Sequence, residues 1–397
     1  MHQTPYLFQQ LCVFLDRSYF DFLVKKYGGN RYVKHYSCWN HLLTMLWAQL
    51  TSRKSLRDIE YSLRAHPDKT YRMGFGRSVS RSTIALANAS RDVAIYRETA
   101  VRMMNNVSAI SVNKSELSEL FGGLAVAGLF AVDSSIVHLP LLKFPWSVPQ
   151  RNGGGIKLHT MFDILRNIPV TCLVTGNEER DQTFMDDYSY SPGCMYLFDK
   201  AYVKTDSLYK INRTGAYFVV RRKENMCIEV LTANFGIPKG NDEYVLSDDI
   251  IRFTSRRASN GYPDNLRMIN YYSAENNRTL CFLTNNFKIP ADMAAYAYKN
   301  RWIIEVFFKW VKQHLNIESF YGCSANAVSI QIYTAVIAYC LLARIADQFA
   351  LKCSIYELSR ALGVSLTEKI YLVDWVKTFN KNRFSGDSEN VNPSLFD

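Results

Sequence analysis

The chain has 397 residues, 48% of them hydrophobic, which is too long for one compact core and predicts two or three domains with packed interiors. Its net charge of +11 and pI near 9.1 favour a polyanionic partner, nucleic acid first and an anionic membrane second, although an ordinary basic protein can have the same balance. Nine scattered cysteines without a Cys-x-x-Cys pair exclude a disulfide framework and a zinc site, and the N-terminus lacks a secretory signal, so a cytoplasmic protein is expected.

Residues 1–115 are predicted to form a helical, basic domain. Within it, Ser80 or Ser82 is placed to cap a helix that begins near Arg81 after a turn. The basic flanks of this helix suit phosphate contact of the helix-turn-helix kind, so Arg81 is a candidate DNA contact. A plain helical bundle with a charged exterior explains the same pattern equally well.

From about residue 124 the pattern changes to strands, and residues 124–223 are predicted as the first part of a catalytic core. Five apolar runs are predicted as strands: 129–139, 156–164, 169–174, 195–198 and 217–220. Helix or loop is predicted between the later ones. Three strands followed by alternating strand and helix predict an α/β (α+β) fold, a mixed sheet flanked by helices.

Residues 224–288 contain short β-rich runs separated by turn formers, which predicts an antiparallel insertion before the last core helix. The predicted strands are 226–231, 244–246, 250–254, 266–272 and 279–284. Cations concentrate in and beside this segment: Arg221, Arg222, Lys223, Arg252, Arg256, Arg257 and Arg267. They suit contact with a DNA backbone, but an inert elaboration whose cations aid solubility would look the same.

A helix is predicted for residues 291–315, because the segment follows Pro290 and contains no glycine or proline. Steps of three, four and seven residues place four polar side chains along one stripe of it: Tyr298, Arg301, Glu305 and Lys312. A carboxylate that holds a metal beside groups that hold phosphates fits this arrangement. A solvated face with an Arg301–Glu305 ion pair is the alternative.

Residues 289–380 are assigned to the final part of the core and to C-terminal helices, and residues 381–397 to a mobile tail. Residues 328–345 are long and apolar, near the lower length limit for a membrane span. Polar interruptions along this segment favour a buried core helix instead. No membrane partner is therefore expected.

Two further acids complete a candidate catalytic site. Asp133 lies inside the first apolar strand, where an unpaired carboxylate is costly, and Asp199 directly follows the fourth strand. If those strands are neighbours, both carboxylates emerge close together, and Glu305 can join them from its helix. Three carboxylates with open positions are typical of a Mg²⁺ or Mn²⁺ site that serves phosphoryl transfer. A strand-end cap or a salt bridge is the alternative for each aspartate taken singly.

On these residues the chain resembles a DDE-type insertion-sequence transposase of the group with a Tyr-Arg-Glu-Lys signature. Asp133, Asp199 and Glu305 match the three acids of that family, and Tyr298, Arg301 and Lys312 fill the signature. The stretch Lys157-Leu158-His159 resembles the Lys-x-His of the family's second strand. Lys200 stands where the family commonly has arginine. The lysine keeps the positive charge but cannot form the bidentate hydrogen bonds of a guanidinium.

The resemblance implies a ribonuclease-H-like core and a function in bacterial DNA transposition. It implies metal-dependent cleavage at terminal inverted repeats, strand transfer into target DNA and a homodimer that pairs the two ends. A hairpin intermediate is compatible with it. Lys157, His159 and Lys200 become candidate DNA contacts beside Tyr298, Arg301 and Lys312; a satisfied strand histidine is the alternative for His159.

Two other functions remain compatible with the same residues. A ribonuclease-H-like nuclease without strand transfer would need the same three acids. A catalytically dead protein that only occupies element ends would need the DNA contacts alone.

Overall fold

A computed structural model describes residues 4–65, 67–110, 116–147, 154–179, 181–235, 244–275, 277–315 and 320–384. Its α-helices are α1 Leu7–Cys12, α2 Arg17–Lys26, α3 Cys38–Leu50, α4 Leu56–Arg64, α5 Pro67–Thr70, α6 Arg81–Ser90, α7 Val93–Ile110, α8 Glu116–Gly123, α9 Asp181–Asp187, α10 Thr205–Arg213, α11 Arg256–Gly261, α12 Ala291–Lys299, α13 Ile303–Leu315, α14 Ala325–Gln348, α15 Ile355–Ser365 and α16 Leu372–Phe384. Its strands are β1 Gly128–Leu139, β2 Gly154–Asp163, β3 Ile168–Gly176, β4 Cys194–Phe198, β5 Tyr217–Arg221, β6 Ile228–Thr232, β7 Val245–Phe253, β8 Leu266–Ser273 and β9 Arg278–Thr284.

The chain divides into two compact units. The first combines residues 1–112 with residues 311–397, and the second comprises residues 113–310. The prediction grouped residues 289–380 with the catalytic core, whereas the compact units place residues from 311 onward with the N-terminal helices. The predicted tail begins at 381; α16 continues to Phe384, and residues 385–397 lie outside the described part.

The first unit is helical, and its central element is α14, which packs against α3, α6, α7 and α15. This helix is long and apolar enough to cross a membrane, but 89% of its most apolar window is buried inside the protein. Its burial against other helices agrees with the prediction of a core helix. Ser80, one of the two predicted caps, begins α6: its hydroxyl accepts a hydrogen bond from the backbone N–H of Thr83 at 3.3 Å.

The second unit is built on a nine-stranded sheet in the order β3-β2-β1-β4-β5-β9-β8-β7-β6. Strands β1, β4 and β5 are parallel, and β2 is antiparallel to both β1 and β3. The predicted mixed sheet flanked by helices is confirmed. The insertion is antiparallel, as expected, and it extends the core sheet through β9. Residues 244–246 and 250–254, predicted as two strands, lie largely in the single strand β7.

Helical structure runs through residues 291–315, but not as one α-helix. A 3₁₀ turn, Asn300–Trp302, separates α12 from α13 and contains Arg301. The apolar side chains Ile304, Phe307, Phe308 and Val311 of α13 are buried. The ring of Phe307 packs 5.4 Å from that of Phe162 on β2. Because Phe162 pairs with Ala131, α13 covers the face of the sheet that Ala131 and Asp133 share.

Candidate active site

Asp133 and Asp199 lie at corresponding positions of two neighbouring parallel strands, Asp133 within β1 and Asp199 directly after β4. Val132 of β1 pairs with Phe198 of β4, so each aspartate is the next residue after a paired position. Adjacent strands are roughly 5 Å apart, and side chains one position after Val132 and Phe198 point to the opposite face from those two residues. Both carboxylates therefore emerge on the face that α13 covers, as the sequence predicted.

Arg301 joins the first and third predicted acids. Its guanidinium lies 2.7 Å (Nη1) from Oδ2 of Asp133 and 3.0 Å (Nη2) from Oε1 of Glu305. The arginine side chain is 14% exposed, the Asp133 side chain 20% and the Glu305 side chain 57%. The 3₁₀ turn that carries Arg301 packs on β1, which brings its side chain to Asp133. The alternative interpretation, an Arg301–Glu305 ion pair, is thus part of a larger charged group.

The electrostatics of Asp133 are those of a carboxylate that is incompletely neutralised. Its pKa is raised to about 6, chiefly by burial and to a smaller extent by the nearby charges of Glu305 and Asp199, while Arg301 and the N–H of Ser134 oppose the shift. Burial disfavours the charged form of Arg301 too, yet Tyr298 and the three acids leave its pKa above the ordinary value. Negative charge therefore dominates the site.

Tyr298 closes the site from α12. It is buried, its hydroxyl lies 3.5 Å from Oδ1 of Asp199, and its ring centroid is 5.7 Å from the guanidinium carbon of Arg301. Burial raises the pKa of Tyr298 to about 12, so the hydroxyl keeps its proton and can donate. Nε of Arg301 is buried and has no hydrogen-bond partner in the described part of the chain. Two donors consequently lie beside the acids: the Tyr298 hydroxyl, which is directed to Asp199, and the unpartnered Nε of Arg301.

Lys157 and His159, predicted as DNA contacts, face the other side of the sheet. His159 pairs with Ser134 across β1 and β2, one position from Asp133, and its ring stacks on Phe184 of α9 at 5.3 Å. Both residues are buried, and burial lowers the pKa of His159 to about 4. Alternation along a strand places these side chains away from the acids, so they do not join the acid cluster, and their contact with DNA stays a prediction.

Asp181, which the sequence did not single out, is the partner of that polar row. Its Oδ1 accepts from the hydroxyl of Ser134 at 2.6 Å and lies 3.2 Å from Nζ of Lys157 and 3.9 Å from Nδ1 of His159. A buried lysine two residues from a buried histidine predicts that some carboxylate must lie nearby. Nothing in the sequence identifies Asp181 as that carboxylate, because it comes from a separate helix.

The other predicted contacts are distributed over both units. Lys200 is exposed, directly after Asp199; Lys312 is partly buried on α13, and burial lowers its pKa; Arg81 is exposed at the start of α6. Of the insertion's cations, Arg267 is buried and bound to Asp248. Its charge is therefore not available to DNA.

Comparison with known proteins identifies the family. The model of the transposase DDE domain matches residues 125–341, more than half of the chain. The chain belongs to the DDE transposase family. Residues 3–76 of this transposase match a second model, a domain of unknown function (DUF4372). The predictions of an insertion-sequence transposase and of DNA transposition as its function are thereby confirmed, whereas the Tyr-Arg-Glu-Lys group stays a prediction.

Two named relatives agree with this assignment. A protein named as a transposase from Sinorhizobium fredii is 32% identical over 266 residues, which cover 67% of the chain and 71% of the relative. A transposase of an insertion sequence element from Geobacillus stearothermophilus is 28% identical, over 55% and 57% of the two chains. A cryo-EM structure of the piggyBac transposase synaptic complex with hairpin DNA covers 100% of this chain and 88% of its own, with 11% identity and a TM-score of 0.42.

DDE transposases generally use divalent metal ions, so the fit of this site to such an ion matters. Its donor set fits, because three carboxylates are hard oxygen ligands of the kind that Mg²⁺ and Mn²⁺ prefer. The spacing is not that of a finished metal site. Among the described residues, no group of three His, Cys, Asp or Glu side chains is placed to hold an ion. Arg301 binds Asp133 and Glu305 in this structure, and the convergence of the three acids on one ion stays a prediction.

Proposed function

We propose that this DDE transposase cleaves DNA at the ends of its element and transfers the freed strand, with Asp133, Asp199 and Glu305 as the catalytic acids. The observation that carries the proposal is the register of β1 and β4, which sets two carboxylates side by side on the face covered by the helix of Glu305. The incompletely neutralised charge at Asp133 supports it, because such a site favours a cation.

The three acids would hold Mg²⁺ or Mn²⁺, which when bound would supply electrostatic stabilisation of the charge that develops on the phosphate. Arg301 competes with that ion, since its guanidinium occupies oxygens of two of the acids. A phosphate group offers the guanidinium an equally good bidentate partner. DNA binding would therefore draw Arg301 from the carboxylates and free them as ligands.

The remaining polar groups would position the DNA strand. The Tyr298 hydroxyl, which lies 3.5 Å from Oδ1 of Asp199, and the unpartnered Nε of Arg301 would each donate a hydrogen bond to the phosphate beside the cut. Lys312 and Lys200 would contact flanking phosphates as point charges. Lys157 and His159 have no direct role in this proposal; through Asp181 they hold the strand that carries Asp133.

The test is cleavage of a labelled duplex that carries the element's terminal repeat, with Mg²⁺ added. We expect Glu305→Gln to reduce the cleavage rate by on the order of 10³-fold or more while DNA affinity is retained. Glu224→Gln, which also removes one exposed carboxylate of the second unit, serves as the control and should cleave normally. Equal rates in wild type and Glu305→Gln would refute the assignment.

A second assay separates the alternatives. With a pre-cut end and target DNA, a transposase joins the two, whereas a nuclease without strand transfer leaves them apart. Retained function in the Asp133→Asn variant would indicate a protein that only occupies ends. The predicted homodimer is tested by the mass of the complex with end DNA, which should contain two protein copies.

A further inference from the structure

Arg267 is a buried arginine that has no part in the proposed chemistry. It lies on β8 of the insertion, 1% exposed, and donates to both carboxylate oxygens of Asp248, at 2.7 and 2.6 Å. Its Nη1 donates to the backbone carbonyls of Asn286 and Ile289, at 3.1 and 2.6 Å. A buried ion pair alone is weak evidence for stabilisation, since desolvation offsets much of the attraction. The two carbonyl contacts show what the arginine holds, namely the loop directly before α12.

That loop has a defined conformation of its own. The side-chain oxygen of Asn286 accepts from the backbone N–H groups of Lys288 and Ile289, at 2.9 and 3.2 Å. Pro290 follows as the N-cap residue of α12 and, having no N–H, cannot donate a hydrogen bond that would hold the segment in place. The point at which α12 begins therefore depends on the carbonyls of this loop, and Arg267 binds two of them.

The other end of α12 lies over the face of the sheet that carries the acids. Phe282 of β9 pairs with Arg221 of β5, and the residue before Arg221 pairs with the residue before Asp199. Residues paired across a sheet point to the same face, so Phe282 and Asp199 share one. The ring of Tyr298 packs 4.8 Å from that of Phe282, and its hydroxyl lies 3.5 Å from Oδ1 of Asp199. Helix α12 therefore connects the loop held by Arg267 to the catalytic site.

We propose that Arg267 is a positioning residue for DNA cleavage: by holding the start of α12, it sets the place of the Tyr298 hydroxyl beside Asp199. The inference rests on the proposed function, in which that hydroxyl donates to the phosphate beside the cut. It gives the β-rich insertion the task of bracing a helix of the catalytic site. An arginine suits this task, because its planar fork binds Asp248 through two nitrogens and leaves the third for the carbonyls, whereas a lysine has one nitrogen for all of them.

The experiment has to separate positioning from mere support of the fold. The test variant combines Arg267→Met with Asp248→Leu, which replaces the buried pair by apolar side chains and so avoids an unpaired buried charge. It leaves the two loop carbonyls without their donor. In single-turnover cleavage of a terminal-repeat duplex by the full-length chain with Mg²⁺, we expect the rate at saturating DNA to fall about tenfold, with half-saturation unchanged. The control combines Arg252→Met with Glu229→Gln, an exposed pair of the same insertion, and should cleave at the wild-type rate.

A double-mutant cycle tests whether the effect passes through Tyr298. Tyr298→Phe removes the hydroxyl and should itself reduce the rate about tenfold. Adding the test variant's two substitutions to Tyr298→Phe should then cost less than about twofold more, because the group that they displace is already absent. Independent effects would instead multiply to about 100-fold and would contradict the proposal. Thermal unfolding verifies that the variants are folded; Arg267→Lys, which keeps the charge, should show the same changes and replaces the test variant if that variant is unfolded.

Hydrogen exchange gives a measurement that does not depend on cleavage. We expect the test variant to exchange the amides of α12 at least about tenfold faster than wild type, while those of α10 keep the wild-type rate. Equal acceleration in both helices would indicate general destabilisation and would overturn the proposal, as would wild-type cleavage by the test variant.

The two measurements together distinguish this inference from the proposed function. Faster exchange in α12 combined with no cleavage by wild type would refute the proposed function and leave the support of α12 by Arg267 standing. Normal cleavage by wild type with unchanged exchange in the test variant would do the reverse.

Discussion

The cations of the sheet unit and three cations of the helical unit differ in whether the fold has already neutralised them. In the sheet unit, Arg267 is paired with Asp248 and Lys157 with Asp181, and both cations are buried. In the helical unit, Lys54, Arg57 and Arg81 are exposed and form no ion pair within the described residues. All five look alike in the sequence. A positive side chain thus indicates a DNA contact only where the structure leaves its charge uncompensated.

Arg267 offers the strongest test of this distinction. It donates to both oxygens of Asp248, at 2.7 and 2.6 Å, and to the carbonyls of Asn286 and Ile289 just before α12. We expect Arg267→Met to reduce the free energy of unfolding by about 4 kcal/mol, because it leaves a buried carboxylate without its partner. Urea denaturation measures the loss.

Arg252 provides the control, since it forms an exposed ion pair with Glu229 in the same insertion. Arg252→Met should change stability by less than about 1 kcal/mol. Replacing both members of the buried pair, Arg267→Met with Asp248→Leu, should recover much of the loss. If Arg267→Met weakened DNA binding without loss of stability, the buried cation would be a DNA contact and the distinction would fail.

Lys157, the second buried and paired cation, should also contribute to stability, by a smaller amount than Arg267. Its partner Asp181 is 27% exposed, so water can solvate the carboxylate in part. We expect Asp181→Asn to reduce the free energy of unfolding, measured by urea denaturation, by about 2 kcal/mol, and Lys157→Met to reduce it by a similar amount. The loss in the double variant should be well below the sum of the two single losses. DNA affinity should be unchanged in Lys157→Met. A reduced salt slope there would restore the original prediction of a phosphate contact.

Asp133 adds a prediction about pH. The pKa of Asp133 in the folded protein is about 6, above its ordinary value of 3.8. The protonated side chain therefore stabilises the folded state below pH 3.8, and this stabilisation is lost as the pH rises through about 6. We expect the Asp133→Asn variant to lose less stability than wild type as the pH rises between the two pKa values. Near neutral pH it should be about 1 kcal/mol more stable than wild type. Asp206→Asn, an exposed control, should keep the wild-type profile.

The parts of the molecule that were predictable depend on local periodicity and on strand order. Apolar runs locate the five core strands, and parallel neighbours bring Asp133 and Asp199 together at one position. The 3₁₀ turn at Arg301 was not predictable, because no glycine or proline marks it and a contact with β1 accompanies it. Asp181 was missed for a related reason: its partners lie on strands far away in sequence, and only the packing of α9 selects it.

Substitution of Lys200 should have the smallest effect of these variants, and it tests whether an unpaired cation contributes more to DNA binding than a paired one. It is exposed, follows Asp199 and forms no ion pair in the described ranges, whereas nearby Lys204 is bound to Asp186 at 2.5 Å. Both carry the same charge on the same segment. We expect Lys200→Gln to weaken DNA binding only a few-fold and to lower the salt slope by about 1, while Lys204→Gln leaves both unchanged. Lys200→Arg should bind at least as tightly as wild type, because a guanidinium can hold a phosphate through two hydrogen bonds. Equal losses in the two glutamine variants would mean that total charge, not pairing, governs DNA contact beside the acids.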